Sequence, residues 1–402
     1  MGWAFFPLDE QLELSPGSLV PSQEEHLVHL ATWMPFARAG QMLHELTGVF
    51  VSEATLRRHT EQAGEYYEEV QNIQSQKTAQ EASAPEQMVM SADGAFVPLV
   101  GGAWAEVRTL AVGEVKQDGE QMHTTQISYF SRMTDASTFV ELVEGELERR
   151  QVPQATQVAA VMDGAPWLQE IVDGHRPDAV RILDFPHAAQ RISAIVETVQ
   201  QAGRPLPQDA LSRCLHLLKH RGPRPVLRWL RHLTRSLLDR GNIREDLAYL
   251  HKREAFLQYP RYRDAGWPIG SGMVESANKL VMQTRLKGPG MHWAASHVNP
   301  MLALRNAVCN DRWSEAWAHL SSARLDQLRH ERIAHAQDRQ QKATQRFVLA
   351  WARFLLPRSL ARPSQPQLPP DPPKIVAGRP TASHPWRRPL LSRSPQAEPA
   401  KN

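Results

Sequence analysis

The sequence predicts an α/β protein, a mixed sheet with helical crossovers joined to all-helical segments. Three observations carry that prediction. From residue 86, three β-rich runs follow one another, "EQMVMSADGAFVPLV", "AEVRTLAVGEVK" and "HTTQISYFSRM", the pattern of an antiparallel meander. Residues 134–200 then alternate helical segments with short apolar runs, as parallel strands with helical crossovers do. Residues 26–64, 201–266 and 268–356 keep a helical period without strand signals.

The elements can be taken in order. Residues 1–25 are punctuated by proline and read as an N-terminal arm. Residues 26–82 begin with "EEHLVHLATWMPF", which has Leu27, Leu30, Ala31 and Met34 at helical spacing. "ARAGQMLHELTG" repeats the period and stops at Gly48, a residue suited to a helix C-terminus. A third helix starts behind Ser52, a good N-cap, with Glu53 favoured by the positive end of the helix dipole. Helix, short glycine-containing turn and helix form a helix-turn-helix pattern. Arg57, Arg58 and His59 then lie near the start of the second helix of that pair, where such a motif meets a DNA groove.

The sheet region, 86–200, reads β-β-β-α-β-α-β-α. "TDASTFVELVEGELERR" is a helix capped by Thr134 or Asp135. "TQVAAVMDG" is a buried parallel strand ending in Asp163, and "AVRILDFPHAAQ" is a strand ending at Asp184 followed by a helix. Residues 201–266 are an all-helical, basic insertion in which Arg228, Arg231 and Arg235 share one helix face. Residues 267–356 complete the core with further helices. The tail, 357–402, holds 12 of the 30 prolines and eight Arg or Lys against two acids, a composition that cannot bury a core.

Composition limits the function classes. The chain has 402 residues, 42% of them hydrophobic, enough for one large domain or two to three modest ones. A net charge of only +3 excludes a global basic field, so a nucleic-acid surface has to be local. Cys214 and Cys309 stand alone, without disulfide or zinc-ligand spacing, which fits a reducing cytosol. No signal segment opens the chain, and no apolar run is long enough to span a membrane.

Three acids stand out by context. Asp93 and Asp163 each follow a strand run and precede a glycine; Glu275 follows Gly270-Ser271-Gly272 at a helix start. Taken singly, Asp-Gly is a common turn dipeptide and Glu275 an ordinary first-turn glutamate. Together, in this order, three carboxylates are the donor set for two hard cations, Mg2+ or Mn2+, of the kind that stabilise both oxygens of a phosphoryl displacement. Asp184 and His187 in "DFPH" approach one another on a first helical turn. His187 is a candidate for orienting a phosphate, and Asp184 is first of all a helix cap. In "TRLKGPGMHW", Arg285, Lys287, His292 and Trp293 supply the cations and aromatic ring that suit phosphate contact and base stacking.

At these residues the chain resembles the transposases of bacterial insertion sequences of the ISKra type, DDE enzymes with an RNase H-like catalytic core. The matching stretches are "FFPLDEQLELSPGSLVP", "SADGAFVPL", "VMDGAPWL", "RILDFPHAAQ", "GWPIGSGMVESANKLVMQTRLKGPGMHW", "HVNPMLALRNAVCNDRW" and "AGRPTASHPWRR". The resemblance implies that Asp93, Asp163 and Glu275 are the catalytic, metal-holding triad. It also implies that "DFPH" is similar to the Asp-x-x-His signature of Mutator-like transposases, and that residues 201–266 are the all-α insertion. The implied activity is metal-dependent cleavage at element ends followed by strand transfer into target DNA, performed by a homo-oligomer on DNA. Relatives often carry a Cys-containing, zinc-ribbon-like segment before the "FFPLD" stretch, and this chain starts without it. The alternative is therefore a truncated derivative that binds element ends without cutting them and represses transposition. Another RNase H-like nuclease is disfavoured by the helix-turn-helix.

Overall fold

The computed structural model describes residues 19–74, 84–118 and 121–355, with two short strands at 375–376 and 379–380. The arm through residue 18, the linker at 75–83 and nearly all of the basic tail lie outside the described residues.

The chain opens with three helices, α1 (Pro21–Trp33), α2 (Phe36–Thr47) and α3 (Glu53–Gln74). The expected stop at Gly48 is present, with a left-handed φ of 74° and an N–H donated to His44 O. Ser52 Oγ accepts the Thr55 N–H at 3.2 Å, the capping bond its side chain predicts.

The sheet follows: β1 (Gln87–Pro98), β2 (Trp104–Asp118), β3 (Gln121–Arg132), α4 (Ala136–Leu142), α5 (Glu144–Arg149), β4 (Gln157–Met162), α6 (Pro166–His175), β5 (Val180–Leu183) and α7 (Phe185–Gln201). Strand order is β3-β2-β1-β4-β5, with β1–β3 antiparallel and β4 and β5 parallel to β1. This five-stranded mixed sheet is compatible with an RNase H-like core. The helix expected over 134–150 is split at Val143, and Asp135 is its cap, accepting the Thr138 N–H at 3.0 Å. β1 also departs from expectation. Asp93-Gly94 does not end it, because both residues stay paired to Thr109 and Arg108 of β2. The reversal comes at Gly101 and Gly102, whose φ values of 89° and 84° supply the turn.

The strand alternation sends the two faces of the sheet to different cores. Met88, Met90 and Ala92 pack with Val158, Ala160, Phe139 and Ile171 under α4–α6. Val89, Ala159 and Val161 pack on the other face with Ile192, Ile195 and the helices that follow. Those are α8 (Ala210–Arg221), α9 (Pro223–Thr234), α10 (Ile243–Lys252) and α11 (Tyr259–Asp264). The segment 201–266 is thus helical, and its apolar faces close one side of the sheet.

The chain returns through α12 (Gly272–Ala277), a π-helical turn (Asn278–Gln283), α13 (Thr284–Leu286) and α14 (Ala295–Cys309). The helix α15 (Trp313–Leu355) comes next. Leu27, Leu43, Leu56 and Tyr67 of α1–α3 share one core with Ala303, Leu304 and Ala307 of α14. At the crossing a Cβ on Gly64 would lie 2.5 Å from Pro300 O, so backbone approaches backbone directly. The N-terminal helices therefore belong to the same compact unit as the sheet, residues 1–330. A second unit spans residues 331–402. Its described part is the distal portion of α15 and the antiparallel pair β6 (Ile375–Val376) and β7 (Arg379–Pro380).

Edge strand β3 is covered by side-chain amides. Asn299 and Asn306 of α14 and Asn310 at its C-terminal cap each exchange two hydrogen bonds with one β3-side residue. Asn299 meets Met133 N and O (2.7 and 3.0 Å), Asn306 meets Ser131 (3.0 and 3.2 Å) and Asn310 meets Tyr129 (2.8 and 2.8 Å). Alternate residues of a strand point their peptide groups the same way, and spacings of seven and four keep the asparagines on one helix face. Each amide stands in for a missing strand partner.

Among the described residues, no helix is long and apolar enough to cross a membrane.

Candidate active site and nucleic-acid interface

The parallel pair β1·β4 runs in register from Gln87↔Gln157 to Met90↔Ala160, an offset of 70 residues. Asp93 and Asp163 are also 70 residues apart, so they stand at the same level beyond the last paired residues. Adjacent strands lie about 4.8 Å apart. Just below them Ser91 Oγ donates to Val161 O at 2.6 Å, continuing the tie between the strands. Asp163 follows the last residue of β4, and its Oδ1 accepts the Ala165 N–H at 2.8 Å, the turn that starts α6. Asp93 Oδ1 accepts the Gly94 N–H at 2.8 Å, and its Oδ2 accepts from Asn278 Nδ2 at 2.9 Å.

Glu275 comes from α12, whose buried Val274 and Ala277 pack against Ala111 of β2 and leave Glu275 exposed. Burial raises the Asp93 carboxyl above its ordinary range, and the negative charges of Asp163 and Glu275 raise it further. The Gly94 N–H and His187 pull the other way. Asp93 thus feels the charges of the other two acids predicted from sequence, the farther of them 182 residues along the chain.

His187 and Asp184 join them. Asp184 is fully buried and caps α7, accepting the His187 N–H at 3.1 Å and approaching His187 Nδ1 at 2.5 Å. Its other oxygen accepts the buried Ser271 N–H at 2.6 Å. The Gly-Ser-Gly segment thus delivers a backbone donor to Asp184 and sets the start of the Glu275 helix. Burial raises the Asp184 carboxyl, but the His187 and Ser271 hydrogen bonds outweigh it, and the net shift is downward. The hydrogen bond to Asp184, aided by the charges of Asp184, Asp163 and Asp93, raises His187. His187 is thereby favoured as an imidazolium facing the acids.

A carboxylate raised by two neighbouring carboxylates, as Asp93 is, suits a hard divalent cation by donor chemistry. Among the described residues, no three His, Cys, Asp or Glu groups are gathered closely enough to hold a metal ion. A cavity of about 790 Å³ opens beside Asp163 and His187, its far wall formed by Arg191, Asp246, Tyr249 and Arg253.

The predicted DNA contacts divide into two groups. Arg228, Arg231 and Arg235 are exposed along α9 and its C-terminal cap. Arg58 is exposed, and Arg57 is half in solvent with an ion pair to Glu53 (3.2 Å). Lys287 is exposed over the ring of Trp104 (5.5 Å), and His292 is exposed beside it in sequence space on the same loop. Arg285 and Trp293 behave otherwise, which corrects the expectation for both. Arg285 is 2% exposed, donates to Ala31 O (2.8 Å) and lies over Phe36 and Trp293. Burial and neighbouring Arg305 push its guanidinium down to about 10. Trp293 is buried and gives its indole N–H to Leu286 O at 3.1 Å. Arg285 ties α13 to α1, and Trp293 packs α13 against Phe36 of α2. His59 likewise turns inward to Glu24 (2.7 Å).

Residues not singled out from sequence complete the site. Asn278 is 3% exposed and opens the π-helical turn, three positions after Glu275, so one helical face presents both toward Asp93. A π turn frees carbonyls from the helical ladder. Buried Arg305 takes those of Leu280 and Val281, together with Thr32 O. The "ES-x-N" spacing was a usable signal for Asn278. Arg305 had none, because its partners are main-chain atoms.

Asn278→Ala should shift the acid limb of activity. On the reading of Asp93 as a metal-holding acid, its charged carboxylate is the competent form, and because its pKa is raised, activity is lost on acidification above the ordinary aspartate range. Removing the Nδ2–H donor disfavours the carboxylate further, and the midpoint moves up. A pH–rate profile with an unmoved acid midpoint would dismiss Asn278 as a support for Asp93.

No protein-family model matches the chain, and no curated protein matches it. Among solved structures, the Drosophila P element transposase strand transfer complex is similar at a TM-score of 0.28 and 13% identity. The match covers 78% of this chain and 84% of that one. At that TM-score the likeness does not establish a shared fold.

Proposed function

We propose that the chain is a DNA transposase of the DDE class, cutting the ends of a bacterial insertion sequence and joining them to target DNA. The observation that supports this reading most is the placement of Asp93, Asp163 and Glu275. Asp93 and Asp163 stand level just beyond the paired residues of β1 and β4, and Asp93 feels the charges of Asp163, Glu275 and His187. Asp93, Asp163 and Glu275 would hold two Mg2+ or Mn2+ ions, which when bound neutralise charge on the attacking and leaving oxygens of a phosphodiester.

The chain's own residues do the rest. Asn278 fixes the orientation of Asp93. Asp184 holds His187 charged, and the imidazolium faces a non-bridging phosphate oxygen. The exposed arginines of α9 contact DNA phosphates, which position a duplex without reading its sequence. Lys287 and His292 add a second cationic contact. Arg57 and Arg58 of α3 belong to the proposed end-binding motif. Point substitutions test that assignment better than deletion of residues 26–64, because deletion would strip the core shared by α1–α3 and α14.

The deciding experiment incubates purified protein with end DNA and Mg2+ or Mn2+. Nicking at the element boundary supports the transposase. Tight binding to ends without cutting at any metal concentration would establish the non-catalytic, repressing derivative instead. For the basic stripe, Arg228→Ala, Arg231→Ala and Arg235→Ala together should lower the slope of log K against log salt by about 2–3, near 0.9 per lost phosphate contact. An unchanged slope removes α9 from the DNA interface.

A further inference from the structure

The helices between β5 and α12 do more than cover the sheet. Three of their tyrosines donate to main-chain carbonyls at the ends of the parallel strands. Tyr259 Oη reaches Leu183 O at 2.9 Å and Tyr262 Oη reaches Arg181 O at 3.2 Å, both on β5. Tyr249 of α10 gives its O–H to Asp163 O, the carbonyl of the second acid itself. Arg253, one helical turn further, donates from Nη2 to Gly164 O at 2.6 Å.

The contact is closely built. The Arg253 guanidinium lies 3.9 Å from the Tyr249 ring centroid, and Arg191 lies 4.8 Å from the same ring while paired to buried Asp246 (2.9 Å). Gly164 has a φ of 84°, and a Cβ there would sit 2.3 Å from Arg253 Nε. The glycine is thus required twice, by its left-handed backbone and by the arginine lying in the space of its missing side chain.

We infer that Tyr249 and Arg253 are positioning residues for Asp163: the helical segment latches the Asp163-Gly164 turn and so sets where the second acid points. The inference rests on the transposase reading for its catalytic meaning, but the latch has a structural readout of its own. Strand β4 ends at Met162, so no ladder bond holds Asp163 beyond it. Among the described residues, its carboxylate is anchored locally, through Oδ1 to Ala165 N. Two donors on the carbonyls of the two peptide bonds that flank Gly164 restore the constraint that the end of the strand removes.

Tyr249→Phe deletes the O–H and keeps the ring between its arginines. Arg253→Met, which keeps length and removes the donors, serves as the second variant should the first not fold. In amide hydrogen exchange, Gly164, Ala165, Trp167 and Leu168 should exchange about five- to tenfold faster in either variant, the loss of one hydrogen bond. The rest of β4 should be unchanged. With end DNA and Mg2+, kcat should fall by about tenfold while KM for DNA stays put, as misorientation of a fixed group predicts. Unchanged exchange at 164–168 overturns the latch. Faster exchange with an unchanged kcat overturns the positioning role. A wild type that leaves DNA intact defeats the transposase reading separately, and the latch then stands or falls on exchange alone.

Discussion

Asp93→Asn, Asp163→Asn and Glu275→Gln should each abolish metal-dependent cleavage of end DNA while leaving the protein folded and bound to DNA. Exchanging a carboxylate for an amide keeps shape and removes charge, so a cation loses a ligand and the field that attracts it. Charge stabilisation of several kcal/mol at the transition state corresponds to a rate loss of about 10³-fold or more. Asp93→Asn carries a second expectation that separates function from structure. Burial and the like charges of Asp163 and Glu275 disfavour the Asp93 carboxylate. An asparagine in its place can accept the Gly94 N–H through Oδ1, and its Nδ2 can donate to Asn278 once that amide turns its Oδ1, which has no partner, toward it. The variant should therefore melt at or above the wild-type temperature while cutting nothing. Single-turnover cleavage and thermal unfolding on the same preparations check both halves. Wild-type rates in any one variant would remove that residue from the triad, and a collapsed melting temperature in Asp93→Asn would contradict the electrostatic account.

Asn306→Ala should give the largest single loss of stability among the polar residues outside the site. Asn306 is 1% exposed and satisfies both Ser131 N and Ser131 O. Truncation strands two buried main-chain groups that water cannot reach, at about 1–3 kcal/mol each. Asn310→Ala, at a half-buried position, should cost clearly less because solvent can replace the amide. Chemical denaturation reads the difference, and equal effects at 306 and 310 would argue against edge-strand coverage as the cause. Asn306→Ala should also raise self-association, since an uncovered strand edge pairs readily with another.

Much of this was legible in the sequence for identifiable reasons. Period-2 and period-3.6 patterns give the element order β-β-β-α-β-α-β-α because burial of one face is written into alternate or every third to fourth residue. Gly48, Ser52 and Asp135 mark helix ends because their conformational and capping preferences are local. Asp163 stands out only in company, because an Asp-Gly after an apolar strand is by itself a common turn and gains meaning from Asp93-Gly94 and Glu275. Arg285 and Trp293 misled for an equally physical reason. Arginine and tryptophan serve DNA contact and buried bracing alike, and only burial separates the two.

What the sequence by itself determined is most of the local conformations and the candidate acids. It held even the 70-residue separation that equals the β1·β4 register, although nothing in the sequence says that those two strands pair. Tertiary structure decided the rest. It kept Asp93-Gly94 extended against β2 when the dipeptide favours a turn, and it turned Arg285 and His59 inward. It welded α1–α3 to α14, and it recruited Asn278, Asn306, Tyr249 and Arg253 to main-chain or carboxylate partners far away in the chain. The physical reason is common to all of these. A hydrogen bond to a peptide group has no side-chain signature at the accepting end, so such contacts are invisible until the backbone has been placed.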